Sequence, residues 1–241
     1  TLIEKGECSK GITCVETFDF DVIDKIYKPY DNLVLAVTLK ADGSTDKKVI
    51  GSLTEALKAQ SGVKEEWDRL KEIFVNPGLQ MISFTITEKG YGVAPADLER
   101  GLKPALIMGK VTLLLYERFL AGKLPLTVQS MDNCSHNGDK VKAAVIAYAT
   151  KWAQEGLVPG EFLTYVQDPE KVTYPWSMID KITPRPDAKV QETLKADGFE
   201  DRETIVTEKK TYTAPFVNAE ETQYLVVEDR YTNGRPPLEL G

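Results

Sequence analysis

At 241 residues, with 42% hydrophobic and 28% charged residues, the chain can bury a sizeable core, which excludes disorder or a fibrous repeat as its main character. Thirty Lys and Arg against 37 Asp and Glu leave a formal charge of -7, a field that repels phosphate backbones and anionic bilayers, so neither nucleic acid nor membrane is expected as a partner. Three cysteines without C-x-x-C spacing and a single histidine do not furnish a zinc set, so no metal is expected and the thiols read as the reduced ones of a cytoplasmic protein.

Residues 12–15 and 33–39 are apolar, β-rich runs between charged and Gly-rich stretches and read as buried strands. Between them, residues 19–30 read as a helix stopped at Pro29. Asp42-Gly43 followed by residues 47–51 reads as a hairpin turn and a returning strand, an antiparallel extension of the sheet. Residues 52–59 and 64–74 carry helical spacing, the second with Trp67, Leu70, Ile73 and Phe74 on one face. Residues 80–87 are nearly continuous in apolar and β-branched side chains, as in a strand covered on both faces of a parallel sheet. A long apolar-periodic helix over 104–121, a strand over 124–130 and an Ala-rich helix over 139–156 follow, an alternation that gives βαβ units. From Tyr174 onward prolines break the pattern, leaving a helix over 187–196 and a last strand over 223–228.

Ligands of such folds collect at the carboxyl ends of strands, which singles out the loops after the strands ending near 87, 130 and 174. The second loop, DNCSHNG over 132–138, packs carboxylate, amide, thiol, hydroxyl and imidazole at the start of a helix. Asp132, Asn133 and Ser135 are also preferred N-cap residues, so capping and ligand contact both remain open from the residues alone. Cys134 beside His136 invites a thiolate reading, and no second histidine supports one. Gly90 and Gly92 form a lone G-x-G, Pro95 stands where a third dinucleotide-fingerprint glycine belongs, and Pro104 occupies the slot six before Lys110 where a Walker A glycine belongs. No phosphate cradle is therefore legible.

Four segments taken together carry a stronger signal: TITEKGY over 85–91, SMDNCSHNG over 130–138, PWSMIDKITP over 175–184 and VEDRYTNGRP over 227–236. In order and spacing they resemble successive motifs of the mannitol dehydrogenase family, the long-chain polyol and uronate dehydrogenases, from about residue 11 to the end of the chain. The resemblance implies an α/β fold, a Rossmann-like and mostly parallel sheet flanked by helices, with antiparallel extensions and without its first Gly-rich strand-turn-helix unit. Residues 1–241 are then an incomplete NAD(P)-binding domain, from which the family's helical C-terminal domain with its catalytic lysine is absent.

Carried over position by position, Asn133 matches the asparagine that stabilises the developing alkoxide, and Glu88 matches the glutamate linked to proton passage near the catalytic lysine. Asp19 matches the acidic residue that favours NAD over NADP, and Asp180 the cofactor-proximal aspartate of a V-D-R-I-T-P signature, with Lys181 where arginine is usual. Lysine cannot reproduce the bidentate fork of a guanidinium. The expected activity is hydride transfer between NAD, with NADP second, and a sugar alcohol or aldonate, mannitol/fructose or mannonate/fructuronate in type. A non-catalytic dinucleotide-sensing or protein-interaction module is the alternative from a different class.

Overall fold

The computed structural model describes residues 2–240, which fall into two compact units: residues 2–59, 180–223 and 237–240 belong to the first, and residues 60–179 and 224–236 to the second.

The first unit opens with β1 (Ile12–Glu16), which stops where the Glu16 carboxylate turns back to accept the N–H groups of Thr17 and Phe18, each at 2.7 Å. Residues 19–30 do not form one helix ended by proline. A π-helical turn over Ile23–Tyr27 passes into a 3-10 turn over Lys28–Tyr30 that contains Pro29, where a first-turn proline loses no hydrogen bond. Asp31 and Asn32, in the left-handed conformation that short polar side chains tolerate, end it. β2 (Val34–Leu39) and β3 (Thr45–Ile50) then pair antiparallel as the Asp42-Gly43 signal requires.

Residues 52–59 overturn their helical reading: Leu53–Lys58 is β4, parallel to β1 in a register that opposes Cys14 to Ala56 and Val15 to Leu57. Six residues of mixed propensity are decided by the strand beside them rather than by their own spacing. Gly11 makes this approach possible, since a Cβ there would lie 2.1 Å from the Thr54 side chain.

The second unit begins with α1 (Lys64–Val75), burying Trp67, Leu70 and Phe74 on the face read from the sequence. β5 (Met81–Phe84), a short α2 (Pro95–Leu98), α3 (Ile107–Leu120), β6 (Leu126–Ser130), α4 (Asn137–Gln154), α5 (Gly160–Gln167) and β7 (Val172–Thr173) follow. The three strands form one parallel sheet in the order β5-β6-β7. All five residues of β6 are buried, as expected of a central strand with both faces covered. α5 has no counterpart in the sequence reading; it buries Phe162 among Tyr116, Phe119 and Tyr165, with ring centroids of Phe119 and Phe162 5.6 Å apart.

β8 (Ser177–Asp180) leaves that unit, and the chain returns to the first through α6 (Ala188–Ala196), capped by the Asp187 carboxylate on the N–H groups of Lys189 and Val190. A short hairpin of β9 (Ile205–Val206) and β10 (Tyr212–Thr213) precedes β11 (Phe216–Glu220), which lies parallel to β2 and was not legible beforehand. Val37, Val190, Leu194, Ala214 and Phe216 form the core there. β12 (Tyr224–Val227) pairs with β8. The pairing is mostly parallel with antiparallel additions, as expected, but among the described residues it is distributed over several short sheets rather than one. No helix among the described residues is long and apolar enough to cross a membrane.

Candidate functional site

Because β5, β6 and β7 run parallel, the three loops that the sequence marks leave the same edge of their sheet. Two buried or half-buried side chains tie these loops together. Asp132 turns its carboxylate back to the segment after β5, accepting the N–H of Ile86 at 2.8 Å and of Thr87 at 3.0 Å. The Tyr91 hydroxyl donates to the same carboxylate and lies 2.5 Å from the Ser130 hydroxyl. Burial, and the carboxylate beside it, push the Tyr91 phenol above its usual range.

Asn137 is the second tie and is 1% exposed. Its amide nitrogen donates to the carbonyls of Asp132 and Ser177, each at 2.9 Å, while its oxygen accepts from the Ser177 N–H at 3.0 Å. Ser177 in turn donates its hydroxyl to the Ser130 carbonyl at 2.6 Å. Gly138 completes the arrangement, for a Cβ there would stand 2.3 Å from the Tyr174 carbonyl oxygen. The capping alternative is not realised: the N-cap of α4 is His136, left-handed at φ 55°, with no side-chain cap.

Glu88 and Asn133 sit on the two loops that Asp132 joins. Glu88 opens a 3-10 turn over Glu88–Tyr91, directly after Thr87, whose φ of 62° with ψ of 162° is a strained conformation for a β-branched residue. Its exposed carboxylate meets the Lys140 ammonium at 2.6 Å, which holds it below the usual carboxylate range. Asn133 is exposed, with no side-chain hydrogen bond among the described residues. It lines an open recess of about 410 Å³, whose polar wall is Asn133, Ser135 and His136 and whose apolar wall is Trp176, Met178 and Val226. The His136 and Trp176 rings stack at 4.2 Å, and the Trp176 backbone exchanges hydrogen bonds with Glu228 on the strand-end beyond β12. Burial pushes the Cys134 thiol up, which disfavours the thiolate reading.

The other two expected residues lie in the first unit. Asp19 is 5% exposed and its carboxylate accepts the hydroxyl of Thr207 at 2.6 Å as well as that of Thr211. Both hydroxyls meet the same oxygen, Oδ2, and they tie the carboxylate to the segment around residues 207–211 of the same unit. Asp180 is the exposed last residue of β8, and Lys181 after it donates to the Glu220 carbonyl. Sequence reasoning missed the tying roles of Asp132 and Asn137; the available signal was an Asn-Gly pair and an acid two residues after the strand that ends at Ser130.

An unpartnered amide, an aromatic wall and loops at the carboxyl ends of parallel strands fit one end of a dinucleotide together with a small polar substrate. The fold and this site define a Rossmann-type dinucleotide-binding domain. Residues 9–240 match the family model described as the mannitol dehydrogenase Rossmann domain, and the chain belongs to the mannitol dehydrogenase family. It is 48% identical over 249 residues to D-mannonate oxidoreductase of Thermotoga maritima, covering 99% of this chain and 46% of that protein. Against the polyol:NADP oxidoreductase of Gluconobacter oxydans the identity is 30% over 234 residues, 88% of this chain and 42% of the relative. Among solved structures, a D-sorbitol dehydrogenase in substrate-free form superposes with a TM-score of 0.77 at 27% identity, covering 99% of this chain and 47% of that one. The chain spans less than half the length of each.

Proposed function

We propose that residues 1–241 are part of the dinucleotide-binding domain of an oxidoreductase that interconverts a sugar alcohol or aldonate with its 2-keto partner, mannonate and fructuronate first. The mannonate preference rests on the activity for which the 48% identical relative is named. The observation that carries the reading is the Asn133 amide, exposed and unpartnered in the recess wall one residue from the acid that anchors the Glu88 loop. Nicotinamide, when bound, supplies or takes up the hydride. The amide N–H of Asn133 donates to the substrate oxygen on which negative charge grows, and it does so as a neutral group held on a fixed loop. Glu88, kept ionised by Lys140, accepts and passes on a proton.

NAD is the cofactor that the family resemblance implies. NADP is the second reading, since the Gluconobacter relative is named for it. In the native protein, Asn133→Ala is expected to lower kcat by about 10² to 10³ while the cofactor KM changes little. Near-normal kcat for mannonate, mannitol and sorbitol oxidation with either cofactor would remove the role of Asn133. Asp19→Ser is expected to leave the NAD to NADP ratio of kcat/KM within about twofold if Asp19 is only internal, and to narrow it if the ribose role holds.

A further inference from the structure

We propose that Asp132 is the positioning residue of this site, holding the Glu88 loop and Asn133 in one fixed geometry; the inference rests on the proposed roles of those two residues. Asp132 is chemically unlike an ordinary loop acid. Its carboxylate accepts three donors from a segment more than 40 residues earlier, two backbone N–H groups and a phenol, while its own carbonyl accepts from Asn137. Its main-chain N–H is directed at Ser130, 3.3 Å away, the residue whose hydroxyl also meets Tyr91. Every polar group of this residue is therefore committed to fixing the backbone on either side of Glu88 and Asn133.

The strain at Thr87 shows what the carboxylate does. A β-branched residue at φ 62° persists only where its surroundings over-determine it, and the Thr87 N–H is held by Asp132 while its carbonyl accepts the Gly90 N–H at 3.0 Å. Glu88 is the next residue. Its ion pair with Lys140 joins an exposed carboxylate to a half-buried lysine at the surface, a weak restraint by itself, so the carboxylate of Asp132 is the anchor that decides where the Glu88 turn begins. The same residue immediately precedes Asn133, whose side chain has nothing else to hold it. Displacing a reacting group by about 1 Å can cost about 10² in rate, and no other side chain in the described residues reaches from the Asn133 loop to the backbone ahead of Glu88.

Asp132→Asn tests this, because an amide keeps the shape but sets an N–H against donors that need an acceptor. In the native protein, with mannonate and each cofactor, kcat is expected to fall about 10- to 100-fold while the cofactor KM stays within about twofold. The decisive readout is a double-mutant cycle. In a Glu88→Gln background the further loss caused by Asp132→Asn should be several-fold smaller than in the parent, and in a Glu88→Gln, Asn133→Ala background it should shrink to about twofold or less, since the residue acts through those two side chains. Tyr91→Phe removes one of the three donors without an opposing one and should lower kcat by several-fold at nearly unchanged melting temperature, which keeps the test open should Asp132→Asn not fold. Fully multiplicative losses in the cycle, or a Tyr91→Phe enzyme with wild-type kcat, would overturn the positioning role. If Glu88→Gln and Asn133→Ala are themselves without effect, the underlying reading fails and takes this one with it; if they are impaired and Asp132→Asn is not, only the inference on Asp132 falls.

Discussion

Glu88 and Lys140 illustrate how little of a residue's behaviour is set by its own type. The lysine holds the carboxylate below its ordinary 4.5, so in the folded chain Glu88 is ionised over a wider pH range than in the unfolded one. A depressed carboxylate contributes stability that is fully present above its unfolded value and is lost as pH falls through the folded one. Lys140→Met should therefore lower the urea midpoint slightly at pH 7 and not at all once both forms of Glu88 are protonated, well below pH 4.5. Equal losses at pH 7 and in that acid range would show that Lys140 acts by packing instead. Asn133 and Asn137 make the same point from the other side. By type and neighbourhood they are equivalent, and the sequence reading separates them only through a family match. Burial separates them physically: Asn137 exchanges hydrogen bonds with Asp132, Ser177 and Gly138, whereas Asn133 faces the recess.

At the scale of elements, the start of α4 and the end of α3 depend on backbone groups that no helical pattern reports. Gly138→Ala should destabilise the chain and loosen the Asn137 clamp, because a Cβ 2.3 Å from the Tyr174 carbonyl forces backbone rather than side chain to move. Loss of amide protection at Ser177 in hydrogen exchange is the expected local signature, and unchanged protection would contradict it. Arg118, 0% exposed near the end of α3, faces no carboxylate among the described residues. It donates instead to the carbonyls of Phe74, Asn76, Leu79, Leu124 and Pro125, pinning the end of α1 and the entry to β6. Arg118→Met leaves several buried carbonyls without donors at about 1–3 kcal/mol each, so a loss on the order of 3 kcal/mol in urea unfolding is expected. A loss under about 1 kcal/mol would mean that water replaces the guanidinium. α1, α3 and α4 were legible as amphipathic or apolar-periodic helices; β4 and β11 were not, because short strands take their identity from the partner they pair with.

Over the whole molecule, two units carry separate cores, and the probes divide with them. Trp67, Trp152 and Trp176 all belong to the second unit, while Cys14 and the cluster of Val37, Val190, Leu194, Ala214 and Phe216 belong to the first. Leu194→Ala, at a site 1% exposed, should cost about 2–5 kcal/mol. The loss should appear as Cys14 becoming reactive to a thiol reagent at lower urea, with tryptophan fluorescence recorded alongside to report the second unit. A Cys14 transition at the wild-type midpoint would place the packing of Leu194 outside the core of its unit.

The sequence by itself determined the class and the family: alternating apolar runs specify parallel strands and crossover helices, and four ordered motifs carry the mannitol dehydrogenase resemblance that the family match establishes. It also marked the three loops, since turn chemistry and strand ends are local properties of the chain. Only the tertiary structure decided which acid in those loops faces outward and which holds the backbone. Asp19 and Asp132 look alike in sequence, each lying shortly after a strand, yet one is taken up by two threonine hydroxyls from nearly 190 residues away and the other bridges two loops. Such partners are set by packing between distant segments, where burial without a hydrogen bond is costly enough to fix a single arrangement.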